Sequence, residues 1–286
     1  MSMSESKSAL IFVNLNKDDA GHAAKIVQAQ LNDRQWQADI LAFHGPISEY
    51  PDFSRYELMI TLGGDGTLLY AASFASPLGI PILPINLGTL GFVAANKMDT
   101  WTATFDNWRS GTVETSRRLM LSVHAYRGKK LLYRGIALND VVVASEGSAR
   151  MIKMCLYVNK ECFGYYRADG LIVSTPTGST AYNLAAGGPA VYPELSALII
   201  NPICPFTLAS RPLVIPGTLP VEIAVDDAKK TGAVLIVDGH ETVSLQKADR
   251  IRIEKYMKQA LLIVPLGNAF FSTLRTKLGW SGDNDA

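Results

Sequence analysis

The feature that most constrains the fold of this chain is a turn of three glycines around one acid, Gly63-Gly64-Asp65-Gly66-Thr67. The apolar run at residues 58–62 predicts a buried strand before the turn, and residues 68–74 predict a helix after it. Glycine permits positive φ and lets backbone N–H groups approach an anion closely, so the pattern is typical of a phosphate site at the end of a strand. A tight turn in which Asp65 only caps the helix is the alternative.

Strand-like and helix-like segments alternate through the first 110 residues. The predicted strands are residues 9–15, 38–43, 58–62 and 80–85, and the predicted helices are residues 18–31 and 68–74. This alternation predicts a parallel, Rossmann-like sheet covered by helices. Ligands of such sheets bind beyond the carboxyl ends of the strands. The turn at Gly63 and a second glycine-rich turn, residues 86–92, are both expected there.

From about residue 115 the pattern changes to short β-rich runs. Strands are predicted at residues 119–126, 130–138, 140–144, 151–158, 170–173, 221–225, 233–237, 250–256 and 260–264, with one helix near 180–186. The predicted fold class is therefore α/β plus all-β, with an α/β domain at residues 1–115 and a β-sandwich at 116–265. Residues 266–286 are predicted to return to the first domain as a helix, followed by a disordered tail.

Composition excludes several classes of protein. The net charge of +1 gives no polybasic face, so no nucleic-acid partner is expected. The three cysteines have no C-x-x-C spacing and no histidines are paired at i, i+4, which argues against a disulfide framework and a zinc site. Neither a signal sequence nor an apolar run of membrane-spanning length is evident, so we expect a cytoplasmic protein without a membrane partner.

A second motif, at residues 169–189, is rich in hydroxyl groups. A predicted buried strand leads into a turn with five hydroxyl side chains in seven residues: Ser174, Thr175, Thr177, Ser179 and Thr180. A helix then begins, whose first N–H groups would point at a ligand. The motif predicts a pocket wall for an oxygen-rich molecule such as a nucleotide or sugar phosphate. The alternative is that the hydroxyl groups only cap the turn and the helix.

Two polar residues, Asn139 and Asp140, interrupt an otherwise apolar strand at residues 136–143. Burying either one unpaired would cost roughly 1–3 kcal/mol, so each needs a partner. That partner is either the backbone of a loop or the ribose hydroxyls of a ligand. His240, in the turn Val237-Asp238-Gly239-His240, is either solvated or functional. The chain contains no G-x-G-x-x-G, P-loop, G-x-S-x-G or H-E-x-x-H motif.

In chain order, the sequence contains G-G-D-G-T, N-[DE] within a strand, D-G-x-x-x-S-T-P-T-G-S-T-A-Y-x-x-x-x-G-G-P and D-G-[QH]. Together these four motifs resemble the NAD kinase family over residues 9–265. The resemblance implies phosphorylation by ATP, or in some members polyphosphate, of the 2′-hydroxyl on the adenosine ribose of NAD, giving NADP. It also implies an α/β domain and a β-sandwich with the site in the cleft between them. Asp65 would accept the proton, and Gly63, Gly64, Gly66 and Thr67 would form the phosphate turn. The residues that would contact NAD are Asp65, Gly66, Asn139, Asp140, Arg150, Arg167, Asp169, Thr177, Thr180, Ala181, Tyr182, Asn183, Leu184, Ala185 and His240.

The chain departs from the family pattern at two positions. Tyr70 stands where many members have a basic residue, and Ala185 where several have Ser. Because no lysine adjoins the glycine turn in the sequence, Mg²⁺ held mainly by phosphate oxygens is expected to offset the phosphate charge. No protein metal ligand is predicted. The resemblance further implies a preference for NAD over NADH, associated with Arg167, and a homodimer or homotetramer.

Two other functions compete with NAD phosphorylation. Lipid kinases of the diacylglycerol and sphingosine type share G-G-D-G-T, but they need an apolar slot for acyl chains. A non-catalytic sensor would bind the dinucleotide without turnover, and the presence of Asp65 argues against it. In phosphoryl transfer the proton of the nucleophile leaves late, so a carboxylate suffices to orient the hydroxyl and accept that proton.

Overall fold

The structure is a computed structural model of the 286-residue chain. It describes residues 7–17, 19–45, 47, 50–88, 91–94, 96–146, 151–227, 232–265 and 269–279. The chain forms two compact units. The first comprises Met1–Arg117 and Ala260–Ala286, and the second comprises Arg118–Gln259.

The elements occur in the following order. The first part contains β1 (Lys7–Asn14), α1 (Ala20–Asn32), β2 (Trp36–Phe43), a 3-10 turn (Phe53–Arg55), β3 (Leu58–Gly63), α2 (Asp65–Leu78), β4 (Ile82–Asn86), β5 (Asn96–Lys97), α3 (Trp101–Arg109) and β6 (Ser116–Arg118). The middle part contains β7 (Leu121–Arg127), β8 (Lys130–Ala137), β9 (Asp140–Ser145), β10 (Ile152–Val158), β11 (Glu161–Ala168), β12 (Gly170–Ser174), a 3-10 turn (Gly178–Thr180), α4 (Tyr182–Ala185), β13 (Ala197–Ile203), β14 (Leu213–Pro216), β15 (Val221–Asp227), β16 (Ala233–Val237), β17 (Glu241–Leu245) and β18 (Arg250–Lys255). The last part contains β19 (Ala260–Leu262) and α5 (Ala269–Leu278).

The first unit is built on a seven-stranded sheet with the order β2-β1-β3-β4-β19-β6, and β5 pairs with β4. The pairs of β1 with β2 and β3, and of β4 with β3, β5 and β19, are parallel. Every residue of β3 is buried, as in a central strand covered on both faces. The α/β expectation is thus confirmed. Because β3 leads directly into α2, the glycine turn lies at the carboxyl end of this central strand.

Helix α1 buries one apolar stripe, Ala20, Ala24, Val27 and Leu31, as its sequence spacing predicts. The sequence pattern does not predict helix α3, because this helix is polar overall and only Trp101, Thr104 and Phe105 are buried. Trp101 and Phe105 belong to the same hydrophobic cluster as the buried residues of α1. This cluster fixes the sheet that carries the glycine turn.

The C-terminal part of the chain returns to the first unit, as expected. Strand β19 pairs with β4 through Leu262 and Ile82, and Asn96 Nδ2 donates to the carbonyl of Ile263 at 3.0 Å. The expectation that residues 260–264 belong to the β-sandwich is therefore wrong. A three-residue apolar strand carries no signal of the sheet it joins, so its placement depends on pairing partners distant in the chain. Apart from Gly279, the predicted disordered tail lies outside the described residues.

The second unit consists of two six-stranded sheets, with the orders β11-β10-β15-β18-β7-β8 and β14-β13-β12-β9-β16-β17. Neighbouring strands are antiparallel. One hydrophobic cluster contains residues of both sheets, including Val123, Ile223, Val143 and Val173. The β-sandwich expectation is therefore confirmed.

Several elements of the second unit differ from expectation. The sequence pattern does not predict strands β11, β13, β14 and β17. Strand β11 is an edge strand with mostly exposed side chains, so its sequence lacks the apolar run of a core strand. The helix predicted near residues 180–186 is a 3-10 turn followed by the four-residue α4. Among the described helices, none has both the length and the apolar character needed to cross a bilayer.

Candidate active site

The glycine turn connects β3 to α2. Strand β3 ends at Gly63, Gly64 is extended with φ −111° and ψ −166°, and α2 begins at Asp65. Gly64 holds the N-cap position, so the alternative that Asp65 caps the helix is wrong. Asp65 instead lies in the first helical turn, where the helix dipole favours a negative charge.

The Asp65 carboxylate accepts three backbone hydrogen bonds from the loop at residues 92–94. Phe92 N–H donates to Oδ2 at 3.0 Å, and Val93 and Ala94 N–H donate to Oδ1 at 3.3 and 2.9 Å. Hydrogen bonds to an ionised acceptor are stronger than neutral ones, so three donors fix the orientation of the carboxylate. A Cβ on Gly91 would come within 2.1 Å of Oδ1, so this close approach requires glycine.

The glycines of the turn have two different roles, and none of them adopts the positive φ that the sequence allowed. A Cβ on Gly63 would lie 2.2 Å from Thr67 Oγ1, so Gly63 permits the first turn of α2 to pack against the strand end. At Gly64 and Gly66, apart from the adjacent residues and the backbone of α2, no heavy atom lies within 4 Å of the position that a Cβ would occupy. These two glycines therefore leave open space beside Asp65.

A pocket of about 230 Å³ adjoins the turn within the first unit. Its lining comprises Asp65, Asn86, three glycines (Gly64, Gly88 and Gly91) and two lysines (Lys17 and Lys277). Lys17 follows β1 and Lys277 lies in the last turn of α5, so both come from parts of the chain far from the glycine motif. The fold thus places positive charge where the sequence showed no lysine beside the turn.

The second glycine-rich turn is attached to the first. Leu87 N–H donates to the carbonyl of Gly63 at 3.1 Å, and Gly88 N–H donates to Asn86 Oδ1 at 3.0 Å. Thr89 and Leu90 lie outside the described residues. The two strand ends, of β3 and β4, therefore present their turns side by side, as expected for neighbouring parallel strands.

In the second unit, Asn139 and Asp140 lie where β8 passes into β9. Their backbone N–H groups donate to Asp238 Oδ1 at 2.8 and 3.1 Å, and Leu138 N–H donates to Oδ2 at 2.8 Å. Asp238 occupies the first position of the turn between β16 and β17, with φ 49°, and Gly239 follows with φ 74°. Two positive φ values in succession are what Asp-Gly favours in a tight hairpin.

Sequence reasoning misses Asp238 as a functional residue, although it stands beside His240 in the D-G-H motif. Its role is only visible once β16 pairs with β9. Burial raises the pKa of Asp238, against the effect of its three N–H donors. Burial, and secondly the charge of Asp238, raises the pKa of Asp140 to about 7.

Two buried oxygens of this region have no hydrogen-bond partner among the described residues, Asn139 Oδ1 and Thr177 Oγ1. Leaving such a group unsatisfied costs roughly 1–3 kcal/mol. Both residues are among the expected NAD contacts. A ligand with hydroxyl or amide donors would supply the missing partner for each.

Most of the hydroxyl-rich turn serves the fold. Thr175 Oγ1 donates to the carbonyl of Leu138 at 2.6 Å, Ser174 Oγ donates to that of Thr175 at 2.9 Å, and Ser179 Oγ donates to that of Pro176 at 2.6 Å. These three hydroxyls therefore bond within the fold, but neither the 3-10 turn nor α4 has a side-chain cap from its N-cap residue. A Cβ on Gly178 would lie 2.2 Å from the carbonyl oxygen of Asn139, so this glycine allows the turn to pack on the Asn139 segment.

The remaining predicted NAD contacts are distributed over the second unit. Asn183 is buried, and its Nδ2 donates to the carbonyls of Ser179 and Pro189 at 3.0 Å, so its side chain is used by the fold. Tyr182 is exposed in α4, Thr180 ends the preceding 3-10 turn, and Ala181, Leu184 and Ala185 are adjacent.

Three further predicted contacts lie apart from α4. Asp169 joins β11 to β12, and Arg167 is exposed on β11 with its guanidinium 4.9 Å from the Phe206 ring centroid. His240 is exposed, with Nδ1 3.0 Å from the carbonyl oxygen of Asp238. Arg150 lies outside the described residues. The structure thus brings Asn139 and Asp140 together at Asp238, and Gly178, which follows Thr177, packs on Asn139. Asp65 and the glycine turn belong to the first unit.

The described residues contain no group of three or more His, Cys, Asp or Glu side chains arranged to hold a metal ion. The pocket at the glycine turn offers one carboxylate, Asp65, and one amide carbonyl, Asn86. Oxygen ligands of this kind suit Mg²⁺, which commonly takes one or two protein ligands and completes its shell with phosphate oxygens and water. The donor set therefore fits a Mg²⁺ ion that arrives with a nucleotide.

Two family models match the chain. The model described as the ATP-NAD kinase N-terminal domain matches residues 49–111, and the one described as the C-terminal domain matches residues 138–264. The NAD kinase of Treponema denticola is 38% identical over 279 residues, 97% of this chain and 98% of that protein. The NAD kinase of Moorella thermoacetica is 42% identical over 226 residues, 79% of this chain and 72% of that protein.

Solved structures agree with these matches. Yeast NADH kinase complexed with NADH has a TM-score of 0.85 over 96% of this chain and 88% of its own; at 24% identity it shows the fold. An NAD kinase from Archaeoglobus fulgidus in complex with ATP has a TM-score of 0.75 and 25% identity, over 94% of this chain and 99% of its own. Nothing in these matches supports a lipid kinase or a binding-only sensor. The chain belongs to the NAD kinase family of phosphotransferases and is one of its enzymes.

Proposed function

We propose that this enzyme transfers the γ-phosphoryl group of ATP to the 2′-hydroxyl on the adenosine ribose of NAD, giving NADP, with Asp65 as the proton acceptor. The observation that carries the assignment of Asp65 is its setting. Three backbone N–H groups orient its carboxylate at a pocket beside Gly64 and Gly66, which leave open space. An oriented carboxylate next to room for a phosphate chain is what this transfer needs.

The reaction assigns a separate task to each carboxylate oxygen. Oδ1 accepts two of the three loop N–H groups, whereas Oδ2 accepts one. Because a carboxylate has about four lone-pair sites, Oδ2 has more capacity left for the ribose hydroxyl. As the ribose oxygen bonds to the γ-phosphorus, the bond from phosphorus to the oxygen of ADP breaks and the hydroxyl proton passes to Asp65. When bound with the nucleotide, a Mg²⁺ ion would supply positive charge that offsets the charge on the phosphates.

We further propose that NAD binds through the second unit. The unpartnered Asn139 Oδ1 and Thr177 Oγ1 support this, because ribose hydroxyls or the carboxamide would complete their hydrogen bonds. The proposed contacts also include Asp65, Gly66, Asp140, Arg150, Arg167, Asp169, Thr180, Ala181, Tyr182, Asn183, Leu184, Ala185 and His240. Asn183 would contribute its backbone, since its side chain bonds within the fold.

The proposed setting of this activity is NADP biosynthesis in the cytoplasm, by a homodimer or homotetramer. Arg167, exposed on β11, is proposed to favour NAD over NADH. The proposed phosphoryl donor is ATP, and polyphosphate is the second donor that the family resemblance implies for some members.

One assay tests the proposed reaction directly. The purified chain is incubated with Mg-ATP and NAD, and NADP is read out through an NADP-specific dehydrogenase. Parallel reactions replace NAD with diacylglycerol or sphingosine, and ATP with polyphosphate. We expect NADP to form with ATP and no lipid to be phosphorylated. Tight NAD binding without any NADP would contradict the proposal.

A further inference from the structure

The two lysines of the pocket at the glycine turn belong to none of the sequence motifs. Lys17 lies just after β1, and Lys277 lies on α5 near the end of the chain. Their side chains are exposed, and they line the pocket together with Asp65. Two positive charges therefore face one negative charge in this pocket, so its electrostatic balance favours an anion.

Lys277 is connected to the proposed proton acceptor through one residue. Its Nζ lies 4.9 Å from the centroid of the Phe92 ring, a cation–π distance. The backbone N–H of the same Phe92 donates to Asp65 Oδ2 at 3.0 Å. The loop that orients Asp65 thus also positions Lys277 beside the pocket.

The shape of the pocket indicates the kind of anion. Open space lies at Gly64 and Gly88, where a Cβ would have no heavy atom within 4 Å apart from those of the adjacent residues. Backbone without side chains permits close approach of phosphate oxygens, and ammonium groups bind phosphates as mobile point charges. A chain of several phosphates could therefore contact both lysines and the glycines at once.

We propose that Lys17 and Lys277 bind the triphosphate chain of the phosphoryl donor, which makes helix α5 part of the donor site. This inference rests on the proposed function for the identity of the donor. During transfer the lysines form and break no covalent bond. The electron pair of the broken phosphorus–oxygen bond leaves with ADP, and the two ammonium groups offset the negative charge that grows there.

Two basic residues close in sequence to the pocket lysines provide matched controls. Lys25 lies on α1, which follows the Lys17 segment, and Arg275 lies on α5 two residues before Lys277. Both are exposed, and neither lines the pocket. Lys25→Met and Arg275→Met therefore remove the same charge without touching the proposed donor site.

The test compares Lys17→Met and Lys277→Met with these controls in steady-state kinetics. We expect each pocket variant to raise the KM for Mg-ATP about tenfold or more, with the KM for NAD within about twofold of wild type. Lys277→Arg should recover most of the loss because it retains the charge. An unchanged KM for Mg-ATP in both Met variants would overturn the inference, as would an equal rise in the KM for NAD.

A binding experiment separates this inference from the proposed reaction. Calorimetric titration of inorganic tripolyphosphate, without NAD, needs no turnover. Binding to the wild type that weakens in both Met variants, but not in the controls, supports the donor site even if no NADP is formed in the assay. Equal binding by wild type and both Met variants would overturn it. Circular dichroism confirms that all variants are folded.

Discussion

Asp238 Oδ1 accepts the backbone N–H of Asn139 at 2.8 Å, across two strands that are far apart in the sequence. The same carboxylate accepts the N–H groups of Leu138 and Asp140. It therefore fixes the backbone that presents two proposed NAD contacts, Asn139 and Asp140. Asp238 acts as a positioning residue, so NAD binding through Asn139 and Asp140 should also require Asp238.

Asp238→Asn should raise the KM for NAD about tenfold and leave the KM for Mg-ATP near wild type. The amide replaces one accepting oxygen by a donor, so at least one backbone N–H is left buried and unpaired, at a cost of roughly 1–3 kcal/mol. Asp249→Asn is the matched control, since Asp249 is also buried and accepts the N–H of Gln246 at 2.7 Å. Equal KM values for NAD in the two variants would show that Asp238 only stabilises the fold.

Asp65→Asn should lower kcat by about 10² to 10⁴, roughly 3–5 kcal/mol of barrier, with little change in NAD affinity. The amide cannot accept the ribose proton. Single-turnover NADP formation and calorimetric NAD binding measure the two effects separately. Asp33→Asn, at an exposed position after α1, is a control that should keep wild-type rates. Activity within tenfold of wild type in Asp65→Asn would remove the proposed role.

Gly91→Ala should lower kcat strongly while Gly88→Ala should not. A Cβ at Gly91 would lie 2.1 Å from Asp65 Oδ1 and would displace the carboxylate. A Cβ at Gly88 would have no heavy atom within 4 Å apart from those of the adjacent residues. Because Gly88 lines the pocket, its added methyl group should instead raise the KM for Mg-ATP. Similar kinetic changes in the two variants would contradict this division of roles between the glycines.

The parts of the site that depend on local pattern are predictable from the sequence. The strand, glycine turn and helix around Asp65 are recognisable because the apolar residues of the strand, the turn residues and the apolar residues of the helix follow one another directly in the chain. The Asn139 and Asp140 pair is recognisable because polar residues in an apolar run require partners. The structure shows neither of the two offered partners for the Asn139 side-chain oxygen. The backbone N–H groups of Asn139 and Asp140 pair with Asp238, whereas Asn139 Oδ1 has no hydrogen-bond partner among the described residues.

The residues that the sequence does not reveal are those brought in by long-range pairing. Lys17 and Lys277 reach one pocket from opposite ends of the chain, and neither has a motif. The loop that holds Asp65 donates through backbone N–H groups, which any residue except proline can provide. Strand β11 is likewise not predictable from the sequence. It is an edge strand with mostly exposed side chains, so it lacks the apolar run by which core strands are recognised.

Arg167→Gly should increase the use of NADH relative to NAD. Arg167 is exposed on β11 beside the Phe206 ring, so its removal should leave the core intact. The ratio of kcat/KM for NADH and NAD measures the effect. Arg134→Gly, on β8 of the same sheet, is the control. An unchanged ratio in Arg167→Gly would remove the argument for cofactor preference.

The contribution of Asp140 to the stability of the free enzyme should fall as the pH rises from about 4 to about 7. Its pKa is raised from 3.8 to about 7, first by burial and then by the charge of Asp238. Between these pH values the Asp140 carboxyl group is protonated in the folded chain and ionised in the unfolded chain, so each added pH unit lowers the free energy of unfolding. At higher pH the carboxyl group is ionised in both states, and its contribution no longer changes.

Asp140→Asn should therefore lose less stability than wild type between pH 5 and pH 8, by on the order of 2 kcal/mol. Urea unfolding followed by circular dichroism at both pH values measures the difference. Glu161→Gln, an exposed acid on β11 of the same unit, should show the wild-type dependence on pH. If Asp140→Asn and wild type lost equal stability, the proton would not reside on Asp140, and its neighbour Asp238, whose pKa is also raised by burial, would be the group that holds it.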